Sequence, residues 1–144
     1  LFIQHAFDNG FGVYSNYTYN DTNKADVDVE GAKIGESPLI GSSDFQFNFS
    51  AFYENETFSV RASYNLRGDT VLGLSNGMTV IRDSYDQLDV NGSYQITENL
   101  VATASIINLT ESEGFTYLGT DTKDRFLSST YAGRRLYAGF SYKF

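Results

Sequence analysis

The sequence predicts an all-β fold in which about seven antiparallel strands cross a membrane as part of a β-barrel. Short segments of the chain alternate between apolar and polar side chains, which is the period of a strand whose two faces meet different surroundings. Tight turns and long polar stretches alternate as the connections, as they do in outer-membrane barrels. The composition agrees, because 11 Tyr, 12 Phe and 13 Gly beside a single Pro favour strands joined by turns over helices.

The alternation locates the predicted strands one by one. They span residues 1–7, 11–19, 45–53, 58–66, 88–96, 100–107 and 136–144. The last is the clearest, and its apolar side carries Leu136, Ala138, Phe140, Tyr142 and Phe144. In the segment 100–107 both sides are mostly apolar, so the pattern does not assign which side of this strand faces inward.

The connections set the direction of the strands. The short turns are residues 8–10, 54–57 and 98–99, and the long polar stretches are residues 20–44, 67–84 and 109–133. In outer-membrane barrels the short turns face the periplasm and the long loops face outward. The seventh strand then runs inward, which predicts a periplasmic C-terminus.

A soluble β-sandwich or a lipocalin-like barrel would also alternate, but two features favour the membrane. Aromatic residues lie near the strand ends of the apolar face, as in an interfacial girdle; they are Tyr17, Tyr19, Phe45, Tyr53, Phe58, Tyr64, Tyr94 and Tyr142. The opposite face carries Arg61, Asp89 and Asn91 in mid-strand, which suits a water-filled lumen. These three are candidate lumen-lining residues. Arg61 and Asp89 either line a substrate path or, as we favour, have a structural role in which they pair with each other and with other residues inside the barrel.

Charge and residue types exclude several function classes. A net charge of -8 and a pI near 4.4 argue against a nucleic-acid partner, because phosphate binding requires a basic face. Cysteine is absent and His5 is the only histidine, so a catalytic or transition-metal site has little to build on. We therefore predict no enzyme activity, no cofactor and no metal site. The acidic residues Asp21, Asp26, Asp28 and Glu30 lack the Gly and distal Glu of a calcium loop.

Several motifs agree in order and spacing with one known family. They are residues 10–13 with 16–19, residues 62–67, residues 85–89 with 92–94, residues 99–100 with 107–110, and the final segment 133–144. Together they resemble the C-terminal β-barrel segment of a TonB-dependent outer-membrane receptor or transporter, over nearly the whole chain. The alternating Phe140, Tyr142 and terminal Phe144 also look like the signal read by the barrel-assembly machinery.

The resemblance implies a barrel of about 22 strands that encloses an N-terminal plug. Residues 1–144 would be its C-terminal portion, with the plug domain and the N-terminal strands absent. It implies a place in the bacterial outer membrane and active uptake of a scarce nutrient, such as a siderophore or an oligosaccharide. The implied partners are outer-membrane lipid and lipopolysaccharide, the remainder of the barrel and plug, the TonB complex through that plug, and the barrel-assembly machinery.

The last long loop offers candidate ligand contacts. Phe115, Tyr117 and Phe126 either stack on the rings of a ligand or pack the loop against its neighbours. The cluster formed by Asp121, Lys123, Asp124 and Arg125 contacts a ligand or, as we favour, is a solvated loop. Arg134 and Arg135 either bind an anionic ligand or a phosphate of lipopolysaccharide, or mark the boundary between loop and strand. The alternative function is a small structural or adhesive outer-membrane barrel without transport.

Overall fold

The computed structural model describes residues 1–20, 25–29, 32–37, 40–119, 123 and 125–144. These residues form thirteen strands in three antiparallel sheets. The strands are β1 (Phe2–Ala6), β2 (Phe11–Tyr19), β3 (Ala25–Val29), β4 (Ala32–Ser37), β5 (Phe45–Glu54), β6 (Phe58–Arg67), β7 (Thr70–Ser75), β8 (Met78–Arg82), β9 (Tyr85–Thr97), β10 (Leu100–Ile107), β11 (Glu113–Gly119), β12 (Arg125–Tyr131) and β13 (Arg135–Tyr142). Among the described residues there is no helix with the length and apolar character needed to span a membrane.

The largest sheet, here called the wall sheet, has the order β1-β2-β5-β6-β9-β10-β13. Its seven strands are the seven that the alternation predicts, so the all-β antiparallel fold is confirmed. The main difference is β9, which begins at Tyr85 rather than at residue 88. It begins early because its ladder with β6 continues as far as the pair Arg67 and Tyr85.

The register of the wall sheet brings all the polar sides of the strands to one face. One row across this face runs Gly12, Phe52, Arg61, Asn91, Ser105 and Tyr137. We call this the polar face and the opposite side the apolar face. The register also assigns the ambiguous strand β10, whose Thr103 and Ser105 lie on the polar face, while Ala102 and Ala104 lie on the apolar face.

No hydrophobic side chain is buried among the described residues. Phe140 and Leu136, on the apolar face of β13, are 76% and 72% exposed. A soluble sandwich would cover such side chains with a second layer, whereas the wall sheet is one layer thick with both faces open. β1 and β13 are its edge strands.

Two of the long connections contain a second sheet, here called the loop sheet. Residues 67–84 hold the hairpin β7-β8, and residues 109–133 hold the hairpin β11-β12. The hairpins pair through β8 and β11 into the order β7-β8-β11-β12. Since these strands extend β6, β9, β10 and β13 along the chain, the loop sheet repeats the strand order of the wall sheet beyond the end opposite the short turns. We label this end the outer end. The first long stretch contains the hairpin β3-β4; Asp21 and Glu30 and the side chains of Asp26 and Asp28 lie outside the described residues.

Candidate functional site

Hydrogen bonds between neighbouring strands cover much of the polar face. The register sets like residues opposite one another, so Asn48 Nδ2 donates to Asn16 Oδ1 at 3.0 Å. The hydroxyls of Ser50 and Ser63 are 2.9 Å apart, and those of Ser59 and Ser93 are 2.7 Å apart. Such short polar side chains satisfy one another without filling the space in front of the sheet. The face is therefore a hydrophilic surface suited to water and polar solutes.

Arg61 occupies the centre of this face and stacks on an aromatic ring. Its guanidinium carbon lies 4.8 Å from the centroid of Phe52, which is within the range of a cation–π contact. The Phe52 ring in turn covers Gly12, where a Cβ atom would lie only 2.1 Å from Cζ of the ring. Asn91 is the register partner of Arg61 on the other side. The Arg61 side chain thus contacts the wall through Phe52 and stays exposed on the polar face.

Asp89 has different partners. Its carboxylate accepts two hydrogen bonds from Gln87 Nε2, at 2.8 and 2.9 Å, and one from the backbone N–H of Asn108 at 2.9 Å. Its register partner on β6 is Ser63 rather than Arg61. The alternative in which Arg61 and Asp89 pair with each other is therefore wrong. Asp89 instead stabilises the outer end of β10, and the guanidinium of Arg61 is left without a carboxylate among the described residues.

Three buried polar residues join the wall sheet to the loop sheet. Asn108, Thr70 and Ser43 are only 1%, 1% and 3% exposed. Asn108 has a φ of 57°, and its side-chain amide bonds the backbone N–H of Ser112 at 3.0 Å and the carbonyl of Gly133 at 3.2 Å. Asn tolerates this left-handed conformation better than most residues, and its amide can donate and accept at once.

On the other side of the junction, Ser43 and Thr70 form an isolated β-bridge. The Ser43 hydroxyl donates to the carbonyls of Phe45 and Gly68 at 2.9 and 3.0 Å. Sequence reasoning did not single out Asn108, Ser43 or Thr70 for these roles, because nothing in the alternation marks a polar residue at a strand end as buried.

Lys123 links the two hairpins of the loop sheet to each other. Its ammonium group bonds Asp69 Oδ2 at 2.9 Å and also bonds Asp83. The hydrogen bond from Lys123 lowers the pKa of Asp83, partly offset by burial. For Lys123, burial acts to lower the pKa, but the hydrogen bonds to Asp83 and Asp69 outweigh it and raise the pKa. Of the predicted charged cluster, Asp121 and Asp124 lie outside the described residues.

The three aromatic residues of the last loop contact one another. The Tyr117 ring lies 6.5 Å from that of Phe115 and 6.0 Å, edge to face, from that of Phe126. Tyr117 pairs with Ile81, one position away from the row in which Arg82 pairs with Thr116. Because alternate residues face opposite sides, the aromatic residues lie on the side away from Arg82 and Thr116. Their contact with a ligand stays a prediction.

The side of the loop sheet that carries Arg82 and Thr116 bounds a cavity of about 280 Å³. Arg67 and Tyr85, from the outer end of the polar face, line the same cavity. We call it the outer cleft. A neighbouring hollow of about 360 Å³ lies further along the polar face, between Asn48, Asn65 and Gln87. The two hollows adjoin at Arg67 and Tyr85, which line both of them.

The end of the chain separates its residues between the two faces. Phe140 and Tyr142 lie on the apolar face of β13, and the Tyr142 ring meets that of Phe144 edge to face at 5.1 Å. Arg135 pairs with Ile107 on the polar face. Arg134 instead donates to the carbonyl of Leu109 at 3.2 Å and lies 3.5 Å from Glu111. Within the described part of the chain, no three His, Asp or Glu residues are grouped so that they could hold a metal ion.

Comparison with known proteins gives one match. The family model described as TonB dependent receptor-like, beta-barrel, matches residues 3–109, which covers the wall sheet from β1 to the end of β10 and the first hairpin of the loop sheet. Comparisons with curated proteins and with solved structures found no match.

Proposed function

Because this chain belongs to the family of TonB-dependent receptor-like β-barrels, we propose that it supplies barrel wall and outer loops to an importer of a scarce nutrient. The family consists of outer-membrane transporters and receptors rather than enzymes, which gives the chain a transporter-type role and an outer-membrane location. The proposal is that uptake is active, is driven through TonB, and serves a siderophore, an oligosaccharide or a similar solute.

The observation that carries the proposal is the single-layer wall sheet with one polar and one apolar face. An apolar face of exposed aromatic and aliphatic side chains suits lipid, and a face of hydroxyls, amides and Arg61 suits a water-filled lumen. Lipid does not permit strands with unpaired edges, since backbone groups there have no water to bond. In the proposal β1 and β13 therefore pair with further strands of a barrel of about 22 strands, of which residues 1–144 are the C-terminal portion.

Transport in this proposal uses the polar face as the inner surface against which a plug sits. Arg61, Asn91 and Asp89 lie on that surface, where the guanidinium of Arg61 can meet a carboxylate of the plug or of a passing solute. TonB acts on the plug and opens a path along the wall. The loop sheet faces the outside and the short turns face the periplasm, which puts the C-terminus there as well.

The remaining partners follow from the surfaces. Lipid covers the apolar face, lipopolysaccharide meets its outer rim, and the barrel-assembly machinery binds the strand that carries Phe140, Tyr142 and Phe144. These three side chains are exposed, which leaves them accessible for recognition.

The test is the mass of the mature polypeptide in purified outer membranes, combined with cross-linking to TonB in intact cells. We expect a heavy chain, since about 22 strands and a plug require several hundred residues, and a cross-link that disappears when the plug is deleted. A mature polypeptide near 16.1 kDa that forms no such cross-link would contradict the proposal and support the small structural or adhesive barrel.

A further inference from the structure

The outer cleft combines cationic and hydroxyl-bearing side chains in a space of about 280 Å³. Arg67 and Tyr85 come from the wall sheet, and Arg82 and Thr116 come from the loop sheet; Ser112 and Thr130 add hydroxyl groups to its lining. The volume is at the small end of ligand pockets and suits about one sugar-sized molecule. A molecule in this cleft would touch both sheets at once.

Both arginines are neighbours of Thr70. Arg67 Nε donates to the Thr70 hydroxyl at 3.0 Å, and Arg82 is the register partner of Thr70. Thr70 is only 1% exposed and holds Arg67 by this hydrogen bond, whereas Arg67 and Arg82 themselves are exposed. This arrangement leaves the terminal N–H groups of both guanidinium groups directed to the cleft or to solvent. Neither arginine forms an ion pair within the described part of the chain.

The acidic residue of the cleft does not neutralise the arginines. Asp83 lines the cleft, but its carboxylate bonds Lys123, which also bonds Asp69. In this group of three residues the ammonium group offsets one of the two carboxylates. The two guanidinium groups line the cleft in a chain whose net charge is -8, and Asp86, next to the cleft, accepts a hydrogen bond from Ser112 Oγ at 3.3 Å.

We propose that the outer cleft binds an oxyanion, a carboxylate or a phosphate, carried by a small hydroxylated molecule such as an acidic sugar. Arg67 and Arg82 bind the oxyanion, because the planar guanidinium fork matches its oxygen atoms. Thr116 and Thr130 bond the hydroxyls, since the Ser112 hydroxyl already donates to Asp86 and Thr110. The Tyr85 ring gives one apolar wall, while its own hydroxyl donates to Gln87 at 3.2 Å. This inference rests on the proposed function, since it names the chemical class of solute that the importer would receive.

The test measures equilibrium binding to the full-length protein in detergent, with galacturonate, glucose 6-phosphate and neutral galactose as probes. We expect at least one of the two acidic probes to bind, and galactose to bind about tenfold more weakly or worse, because it lacks the charged hydrogen bonds. The carboxylate and phosphate arms tell which oxyanion the cleft prefers. Added NaCl should weaken the acidic probe and leave galactose unchanged.

Three variants locate the binding. Arg82→Gln should weaken the acidic probe about tenfold or more, and Arg82→Lys should fall between it and the unchanged protein, because Lys keeps the charge without the fork. Lys143→Gln is the matched control, because it removes one positive charge at the opposite end of β13, and Lys143 does not line the cleft. Unchanged mobility of the unheated barrel in gels shows that each variant is folded.

The inference is overturned if galactose binds as well as the acidic probes, if neither acidic probe binds, or if Lys143→Gln weakens binding as much as Arg82→Gln. Failure of the proposed function gives a different pattern. Equilibrium binding in detergent requires no energy, so an anion-binding cleft in a protein that TonB does not engage would refute active uptake and leave the cleft intact. Cross-linking to TonB without any anion preference would do the reverse.

Discussion

The wall sheet and the loop sheet repeat the same strand order, but different interactions hold them in place. The wall sheet has backbone ladders of up to ten pairs between neighbours, short polar contacts on one face and exposed apolar side chains on the other. The loop sheet is attached to the wall sheet through the buried polar residues Asn108, Thr70 and Ser43, and the ion pairs of Lys123 join its two hairpins. The stability of the wall sheet depends on the solvent at each face, whereas that of the loop sheet depends on a few specific hydrogen bonds.

This difference teaches where substitutions should matter in each region. In the wall sheet the face that a residue occupies decides the cost, because lipid excludes charge and the lumen accepts it. In the loop sheet both faces meet water, so the face matters less. There the cost concentrates at the junction, where a buried polar group that loses its partner is expensive.

The largest expected effect compares two neighbours in β10. Ala104→Arg puts a charge on the apolar face and should destabilise the protein in lipid by about 2–4 kcal/mol, whereas Ser105→Arg on the polar face should cost less than about 1 kcal/mol. Ala104 faces Gly92 and Ala138, so neighbouring side chains do not obstruct the new arginine. Urea unfolding of the full-length protein in lipid vesicles measures both. Equal costs would contradict the assignment of the two faces.

The next effect is at the junction. Asn108→Ala should cost about 2 kcal/mol, because the N–H of Ser112 loses its acceptor and alanine is strained at a φ of 57°. Asn108→Gly also removes the amide but is not strained at this φ. Its stability should therefore lie between that of Asn108→Ala and that of the unchanged protein. Hydrogen exchange should quicken in β11 and β12 and stay unchanged in β6. Faster exchange throughout the wall sheet would show that the two regions are not separable.

The third effect concerns Gly12 on the polar face. Gly12→Val should cost about 1–2 kcal/mol, because its side chain displaces the Phe52 ring and with it the stacking of Arg61. Phe52→Ala empties that space, so the same change at Gly12 should cost little in its presence. A double-mutant cycle measures this coupling. Additive costs would mean that the ring moves away without loss.

The smallest effect is that of Lys123. Lys123→Met should destabilise the loop sheet by less than about 1 kcal/mol, since the pair is partly exposed and screened by salt. The pKa of Asp83 is lowered from 3.8, so its contribution is present above that value and is lost as the pH falls through the lowered pKa. The pKa of Lys123 is raised from 10.5, so its contribution is present below 10.5 and is lost as the pH rises through the raised pKa. Exchange in β8 and β11 should therefore respond to the substitution across pH 4–10, and a difference confined to acid would contradict the ion-pair assignment.

The wall sheet could be predicted from the sequence because its two faces meet different surroundings, which requires polar and apolar residues to alternate along the strands. The bounds of β2 and β10 agree with the prediction at both ends, and the face of Arg61 follows from its parity. Which side of β10 faces the polar face could be assigned only from its neighbouring strands, because its own sequence has no clear polar side. Only the register with Ser93 and Asn91 assigns it.

The candidate site was less predictable, because it is formed by parts of the chain that are distant in sequence and share no alternation pattern. Arg82 and Arg67 are 15 positions apart in the sequence, and they line the same cleft only because β7 and β8 form a hairpin. The charged cluster around Lys123 was interpreted as a solvated loop, yet its ammonium group reaches Asp69, 54 positions away. Polar contacts between distant residues leave no periodic pattern in the sequence, so they cannot be predicted from it. The side of the loop sheet on which the loop aromatic residues lie could not be predicted either, because it depends on the pairing of Tyr117 with Ile81.

The absence of buried apolar side chains in the described residues has a consequence for how this polypeptide matures. A chain bound for the outer membrane first crosses an aqueous compartment, and there its aromatic side has nothing to collapse on but itself or another copy. In the proposed barrel the apolar contacts that stabilise a soluble domain are made to lipid instead, so a premature hairpin gains little. Folding of such a barrel would then be coupled to its entry into the bilayer, and a delay before entry would expose the chain to aggregation.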